Sequence, residues 1–479
     1  MKVAFIYVPA NQSIPLGIAY LSSVIKQENF KTAFFLLSGK NDTNCLNSVC
    51  EYSPDVVAYS IITGNQELYL EFNRKVKAQL NKVVSVLGGP HPTFFPEIIS
   101  EDGIDAVCLG EGEYAFRQFM LSFMDLGTLP KNVQNFWIKH DGEISKSELM
   151  PLITDLDALP FPDREGFFKV DAFTKEFVRK TVIATRGCPY TCAYCFNGSF
   201  NKLYSNRNIL RFRSPKNICE EILDIQSKYK VKSIYFPDDV FTINKSWVLN
   251  FCEEYKKKID LSFSCNLRFD NVDEDIVKAL KEANCGLVYT GAESANEYIR
   301  KTVMNRKMKI ELMLENAKLI NKYGIKILTE SIIGNPAETY EMTLETLKLN
   351  QKINPQYASA SLFAPYPKLK ETDYAIKENY FNGDFGKITS NFFTDSLIKF
   401  KDEGDKNRVL NLRCFFSFLV KNPIFENIFL SLFINIKHNK LIQFFGHIFD
   451  GYYNFKCAPY KFTIKDFMQT VIQYLSTSK

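Results

Sequence analysis

The sequence predicts an α/β protein in three parts. A doubly wound parallel sheet comes first, then a partial (βα)6 barrel, then a helical C-terminal region. Three observations carry this expectation. Short apolar runs alternate with helical spacing over residues 1–125, and the same rhythm restarts over 179–375. Small or turn-forming residues follow the first set of runs, at the strand ends where such sheets bind ligands. From 376 to 479 the rhythm stops and Phe and Tyr become dense.

In the first part, strands are expected at Val3–Val8, Thr32–Leu37, Val56–Ile62, Val83–Leu87 and Asp105–Leu109. Their carboxyl ends carry Pro9-Ala10-Asn11-Gln12, Ser60 to Asn65, Gly88-Gly89-Pro90-His91 and Gly110-Glu111-Gly112-Glu113. Loops this rich in glycine and small residues let backbone approach a large flat ligand. Ser60, Gly88, Gly89, His91, Gly110, Glu111 and Gly112 are the candidate contacts. Residues 126–178 read as a connector, with Pro130, Pro151, Pro160 and Pro162 and a polar turn His140-Asp141-Gly142 between short strands.

The second part has expected strands at Thr181–Thr185, Ser233–Phe236, Leu261–Cys265, Gly286–Thr290, Lys326–Ile333 and Tyr357–Phe363. Segments such as Asp273–Ala283 and Ile310–Tyr323 carry helical spacing between them. Six units are too few to close an eight-stranded barrel, so a partial barrel follows, with its chemistry at the strand C-termini. The third part, 376–479, reads as an aromatic-rich helical cap over the barrel mouth. Its phenylalanines, from Phe415 to Phe449, are mostly packing residues, with a greasy substrate pocket or interfacial membrane contact as alternatives.

Composition narrows the class. Hydrophobic residues are 46% and charged residues 24% of the 479, which is ordinary for a globular chain. A net charge of +5 does not suggest a nucleic-acid binder. The opening apolar run is too short for a secretory signal. No transmembrane segment is expected, because the stretch Ile424 to Phe449 is interrupted by Glu426, Lys437, His438 and Lys440. Twelve cysteines without a leader point to a reducing cytoplasm, where clustered cysteines mean metal or redox chemistry.

The informative stretch runs Thr185-Arg186-Gly187-Cys188-Pro189-Tyr190-Thr191-Cys192-Ala193-Tyr194-Cys195-Phe196-Asn197. Three cysteines spaced C-x3-C-x2-C follow the first barrel strand. Soft thiolates at that spacing suit iron–sulfur ligation, and three ligands on a four-iron cube leave one iron open for a bound substrate. Zinc is the rival reading, but a structural zinc site usually takes four protein ligands, and no fourth Cys or His lies nearby in sequence.

This loop resembles the signature of the radical S-adenosylmethionine (SAM) superfamily, including the aromatic before the last cysteine. The resemblance implies a [4Fe-4S] cluster on Cys188, Cys192 and Cys195, which splits SAM to methionine and a 5′-deoxyadenosyl radical. It also implies that Tyr194 lies along the adenine. Further matches follow in strand order. Pro237-Asp238-Asp239-Val240-Phe241 resembles the D-D-x-F of one large branch, whose loop holds the methionine amine. A helix N-cap is the plainer reading of Asp239. Arg268 could pair with the SAM carboxylate or serve a structural ion pair. Gly291-Ala292-Glu293-Ser294 resembles G-x-E-S, whose carboxylate reaches the ribose hydroxyls. Gly334-Asn335-Pro336-Ala337-Glu338-Thr339 resembles G-x-P-G-E-T, with Ala337 in place of the usual glycine. Pro365-Tyr366-Pro367-Lys368 resembles P-Y-P-G-T, with Lys368 in place of glycine.

With such a barrel, the N-terminal sheet resembles the cobalamin-binding domain of B12-dependent radical SAM enzymes. Pro15 to Leu21, Gly88 to Thr93 and Gly110 to Glu113 carry that likeness. The D-x-H-x-x-G motif that supplies a lower axial histidine is absent. The implied activity is methylation of an unactivated carbon or phosphorus in a small-molecule or lipid substrate, with a flavodoxin- or ferredoxin-type electron donor. A radical rearrangement, cyclisation or epimerisation without methyl transfer is the alternative. A non-enzymatic iron–sulfur or redox-sensing protein is a further one, and a tRNA methylthiotransferase fits poorly because Cys45, Cys50 and Cys108 lie outside strand-end loops.

Overall fold

The computed structural model describes residues 1–8, 14–205, 207–388 and 393–460. The expected loop Pro9-Ala10-Asn11-Gln12 therefore lies outside the described residues. The chain forms two compact units, one of residues 1–177 with 203–211, the other of 178–202 with 212–479.

The first unit is built on β1 (Lys2–Tyr7), β2 (Lys31–Leu36), β3 (Val56–Ser60), β4 (Val84–Gly88), β5 (Ala106–Cys108), β6 (Phe136–His140) and β7 (Glu143–Lys146). They form one sheet in the order β2-β1-β3-β4-β5-β6-β7. The first five are parallel. Val3 pairs with Thr32 on one side and Val56 on the other, so the strand order reverses between β1 and β3. That reversal is the switch point where doubly wound sheets open a ligand crevice. Helices α1 (Leu16–Lys26), α2 (Thr43–Tyr52), α3 (Gln66–Gln79) and α4 (Glu113–Leu126) cover the sheet. Because both faces are covered, β1 is continuously apolar from Val3 to Ile6, all fully buried.

The expected connector is partly sheet. β6 and β7 form a hairpin that adds antiparallel to β5. Its turn residues Asp141 and Gly142 both take positive φ, as a tight two-residue hairpin turn requires. Phe136 and Ile138 are buried against the edge that β5 would otherwise expose.

The second unit has six parallel strands, β8 (Arg179–Thr181), β9 (Ser233–Phe236), β10 (Ser262–Leu267), β11 (Cys285–Gly291), β12 (Lys326–Ile333) and β13 (Tyr357–Leu362). Each pairs with the next in sequence, giving an open half-barrel. The expected strand Thr181–Thr185 is interrupted. Asp238 accepts the backbone N–H groups of Ala184 (3.0 Å) and Thr185, which draws the chain away from its ladder. Helices α5 (Pro215–Lys228), α6 (Lys245–Lys258), α7 (Glu274–Glu282), α8 (Ile310–Lys322) and α9 (Tyr340–Ile353) lie on the outer face. The outer core is aromatic: Phe236, Phe241, Phe251 and Phe263 meet edge to face or tilted at 5.1–6.3 Å.

Side-chain alternation fixes what faces the concave side. Thr329 and Ser331 both bond Asn350 of α9, so they point outward. Glu330 and Ile332 therefore point into the half-barrel. The same alternation turns Tyr235, Asn266, Tyr289 and Ser359 inward, where Tyr235 bonds Asn266 (3.1 Å) and Tyr289 accepts from Arg179 (3.0 Å).

After α10 (Lys370–Lys377) come α11 (Glu403–Lys421), α12 (Glu426–Phe433) and α13 (Lys440–Cys457). These three occupy a different place from the cap expected over the mouth. α11 runs along the edge strand β13 and along α9, and its Arg413 donates to the Ala360 carbonyl at 3.3 Å. A six-stranded sheet that does not close has an edge to cover, and α11 covers it. From this region it is Phe400 that approaches the strand ends, 3.2 Å from where a Cβ on Gly334 would stand.

Candidate active site

The carboxyl ends of β8 to β13 gather the second unit's chemistry. The cysteine loop leaves β8 through Gly187, whose φ of +90° turns the chain. Cys188 and Cys192 are buried and Cys195 is half-buried. The loop is pinned along its length. Asn201 donates to the Cys188 carbonyl (2.8 Å), Asn305 to the Thr191 carbonyl (2.9 Å), and Ala193 N–H to the Met304 carbonyl (2.8 Å). Burial pushes the Cys188 thiol up to about 12 and Cys195 to about 11, and both feel the other cysteines and Asp239. Among the described residues, no three His, Cys, Asp or Glu side chains converge on a point one metal ion could fill. In a cubane each thiolate takes a different iron, so its ligands need not converge on one point.

Around the cysteines, the two aspartates part company. Asp238 is buried, and one carboxylate oxygen accepts from Ala184 and Thr185 while the other has no hydrogen-bond partner among the described residues. Asp239 is exposed, with Asn197 as partner, and close enough to the cysteines to raise their thiols. Arg268 is buried, stacked 3.6 Å over the Tyr190 ring, and doubly bonded to Asp270 at 2.8 and 2.9 Å. Its Nη1 also reaches Cys192 Sγ at 3.9 Å. The arginine is thus already ion-paired, and its free edge faces a cysteine sulfur.

Glu293, at φ +55°, accepts from the Tyr194 hydroxyl at 2.9 Å. Arg306 bonds the same hydroxyl (3.0 Å), approaches Glu293 (3.5 Å) and donates to the Gly291 carbonyl (2.7 Å). Sequence reading missed Arg306, because it follows a π-helical turn, Ile299–Val303, with no motif to mark it. It also missed Glu330, which reads as one polar residue in a strand but faces the concave side, where it is solvent-accessible and desolvation by the enclosing wall and Glu293 push its carboxyl up to about 7. Asp270 and Tyr190 were legible only as neighbours of Arg268 and Cys192.

Ser294, Asn335, Glu338, Glu371 and Thr372 lie after β11, β12 and β13 and carry buried oxygens without a hydrogen-bond partner. Burial pushes Glu338 up to about 7 and Glu371 well above the carboxylate range. Buried polar atoms are rarely left unpaired, so a polar ligand suits this end of the half-barrel. Gly334 has φ +68° and Ala337 φ +67°, which forms the turn around Asn335 and Glu338.

In the first unit, Gly89 has φ +95°, and a Cβ there would stand 2.9 Å from Ile61 N and the Ser60 hydroxyl. Gly89 thus keeps the β4 loop against the β3 loop. His91 bonds Thr63 at 3.0 Å and stacks on Phe95 at 5.0 Å, and burial lowers its pKa, so it is neutral near pH 7. The loop after β5 differs from expectation. Tyr204 fills the space over Gly110, where a Cβ would collide with its hydroxyl. Arg211 lies 2.7 Å from both oxygens of Glu111, which also accepts from Ile153 N–H. Gly112 is needed for close packing against Leu21, 3.3 Å from a Cβ there. Glu111 is thus a scaffold residue, while Ser60, Gly88, Gly89 and His91 line the side of the sheet nearer the switch point. Glycine-bearing strand ends beside a switch point suit a flat ligand such as a corrin.

Comparison with known proteins agrees with this geometry. Residues 182–349 match the radical SAM superfamily, and residues 3–120 match the B12 binding domain. An uncharacterized methyltransferase of Pyrococcus horikoshii is 29% identical over 396 residues, covering 79% of this chain and 84% of its own. The anaerobic magnesium-protoporphyrin IX monomethyl ester cyclase of Rubrivivax gelatinosus is 27% identical over 371 residues, covering 74% of this chain and 64% of its own. The solved structure of the cobalamin-dependent SAM radical enzyme OxsB, with aqua-cobalamin and SAM bound, shares the fold at a TM-score of 0.63 and 15% identity, covering 100% of this chain and 71% of that one. The chain thus joins a B12 binding domain to a radical SAM domain. The radical SAM match implies a [4Fe-4S] cluster and SAM, and the B12 binding match implies cobalamin. No helix among the described residues is long and apolar enough to cross a membrane.

Proposed function

We propose that this protein is a methyltransferase that places a methyl group on an unactivated carbon or phosphorus of a small molecule or lipid. The observation that carries the reading is the three-cysteine loop at the mouth of a polar-lined half-barrel, in one chain with a B12-binding domain. When bound, the cluster supplies the electron that splits SAM into methionine and a 5′-deoxyadenosyl radical, and the cobalamin supplies a methyl carrier.

The chain's residues do the rest. Cys188, Cys192 and Cys195 hold the cluster as thiolates. Arg268 keeps a positive charge beside Cys192, which favours added electron density there. Asp239 offers its exposed carboxylate to the SAM ammonium, a charge-assisted pairing. Tyr194, Glu293 and Arg306 form a rigid wall whose remaining acceptor capacity suits ribose hydroxyls. In the first unit, Ser60, Gly88, Gly89 and His91 hold the corrin. The electron comes from a flavodoxin- or ferredoxin-type donor.

The relation to the P. horikoshii methyltransferase supports methyl transfer. The relation to the R. gelatinosus cyclase favours a second reading, radical cyclisation without methyl transfer. Anaerobic turnover of the reconstituted protein with SAM, hydroxocobalamin and dithionite separates them. The methyltransferase reading expects S-adenosylhomocysteine together with 5′-deoxyadenosine. Deoxyadenosine alone removes it.

A further inference from the structure

α12 and α13 are apolar on both of their faces. The inner face is accounted for. Phe429 and Phe433 of α12 and Phe449 of α13 meet Phe415 of α11 at 5.3–6.3 Å. Gly446 brings α13 so close to α11 that a Cβ there would stand 2.9 Å from the Cys414 Cα. The outer face has no such cover among the described residues. Leu441, Phe444, Ile448 and Tyr452 recur at intervals of three and four residues, one stripe of a helix, and Leu441 is 64% and Phe444 58% exposed. Ile428 and Leu432 of α12 repeat the pattern, with Leu432 58% exposed, and Ile424 just before it is 83% exposed. Apolar stripes this bare mark an interaction surface.

Charge identifies the occupant. From 424 to 460 the only acidic residues are Glu426 and Asp450. Glu426 is tied to Lys348 and Gln351 at 2.7 and 2.8 Å, and Asp450 to Arg413 at 2.8 Å. Lys437, Lys440 and Lys456 are exposed around the stripes, and Lys456 lies 4.4 Å over the Tyr452 ring. Two copies joined through this face would bring like charges together. An anionic bilayer accepts both the apolar stripes and the lysines.

We infer that α12 and α13 seat this protein on the surface of an anionic membrane, lying in the interface without spanning it. The surface lies outside the residues assigned to catalysis, so it stands or falls independently of methyl transfer.

The test is flotation of the full-length protein with vesicles of phosphatidylcholine alone or with about 30% phosphatidylglycerol. The expected result is co-flotation with the anionic vesicles, reduced roughly tenfold with phosphatidylcholine alone or in high salt. Leu441→Glu with Phe444→Glu abolishes flotation with unchanged circular dichroism. Lys437→Glu with Lys440→Glu, at exposed positions that leave the packing intact, weakens it by a similar factor. Three outcomes overturn the inference: no flotation of a monomeric protein; a dimer by light scattering that Leu441→Glu dissociates, with no flotation; or flotation insensitive to both pairs of substitutions.

Discussion

Residue identity speaks most plainly at Cys188, Cys192 and Cys195, because cluster ligation depends on thiolates at a set spacing. Cys192→Ala should remove the four-iron absorbance after anaerobic reconstitution and with it SAM cleavage, measured as deoxyadenosine. Two other single positions show a rule kept under substitution. Ala337 and Lys368 stand where glycines are usual in the related motifs, and both hold φ +67°. Side chains other than glycine pay about 1 kcal/mol in that region. The backbone keeps the turn because neighbours fix it: Asn335 and Glu338 bond across the first, and Ser199 donates to the Lys368 carbonyl at 2.7 Å. Ala337→Gly should therefore stabilise the protein by about 0.5–1 kcal/mol, read as a raised thermal midpoint with unchanged cluster content. Asp238 and Asp239 show where residue reading stops. Adjacent identical side chains gave no way to tell which one faces the backbone of Ala184 and which one faces solvent.

At the scale of elements, strand periodicity located the parallel strands of both sheets to within a few residues, since continuous apolar runs are what doubly covered strands require. It was least exact at the first strand of the half-barrel, where Asp238 competes for backbone donors, and in the connector it marked short strands around the His140-Asp141-Gly142 turn without showing that they join the sheet. The strand-end loop after β12 carries a pH dependence. Burial raises Glu338 from the ordinary carboxylate value to about 7. A raised acid favours the folded state fully below its unfolded pKa of about 4.5, and that contribution is lost as pH rises through about 7. Asp238, raised to about 7 by burial, acts in the same direction. The metal-free protein should lose thermal stability between pH 5 and 7.5. Glu338→Gln should flatten the profile by on the order of 3 kcal/mol across that window. A variant with the wild-type slope would show that Glu338 finds a partner that keeps it ionised.

For the whole molecule, the sequence reading divided the chain into consecutive segments, and the structure instead interleaves them. Residues 203–211 belong with the first unit although they lie within the second in sequence. No pattern in the sequence marks such a return, because one tyrosine and one arginine, Tyr204 and Arg211, make the contacts. Arg211 is 4% exposed at its side chain and faces Glu111, 12% exposed, at 2.7 Å. Tyr204 donates its bulk to the space over Gly110 and accepts from Glu111 N–H at 3.3 Å. A fragment ending at 177 would keep Glu111 in place beside Ile153 and lose Arg211, the cation 2.7 Å from its carboxylate. Breaking one side of a buried pair costs about 3–5 kcal/mol. The same loss is reached in the full chain by Arg211→Met, which removes the charge and keeps the bulk. Arg211→Met should lower the thermal midpoint of the first unit's unfolding, and Glu111→Gln in the same chain should recover most of the deficit, since an amide can be buried without a cation. If the double variant is no more stable than Arg211→Met alone, the pair is not what ties 203–211 to the sheet, and Tyr204 alone carries the attachment.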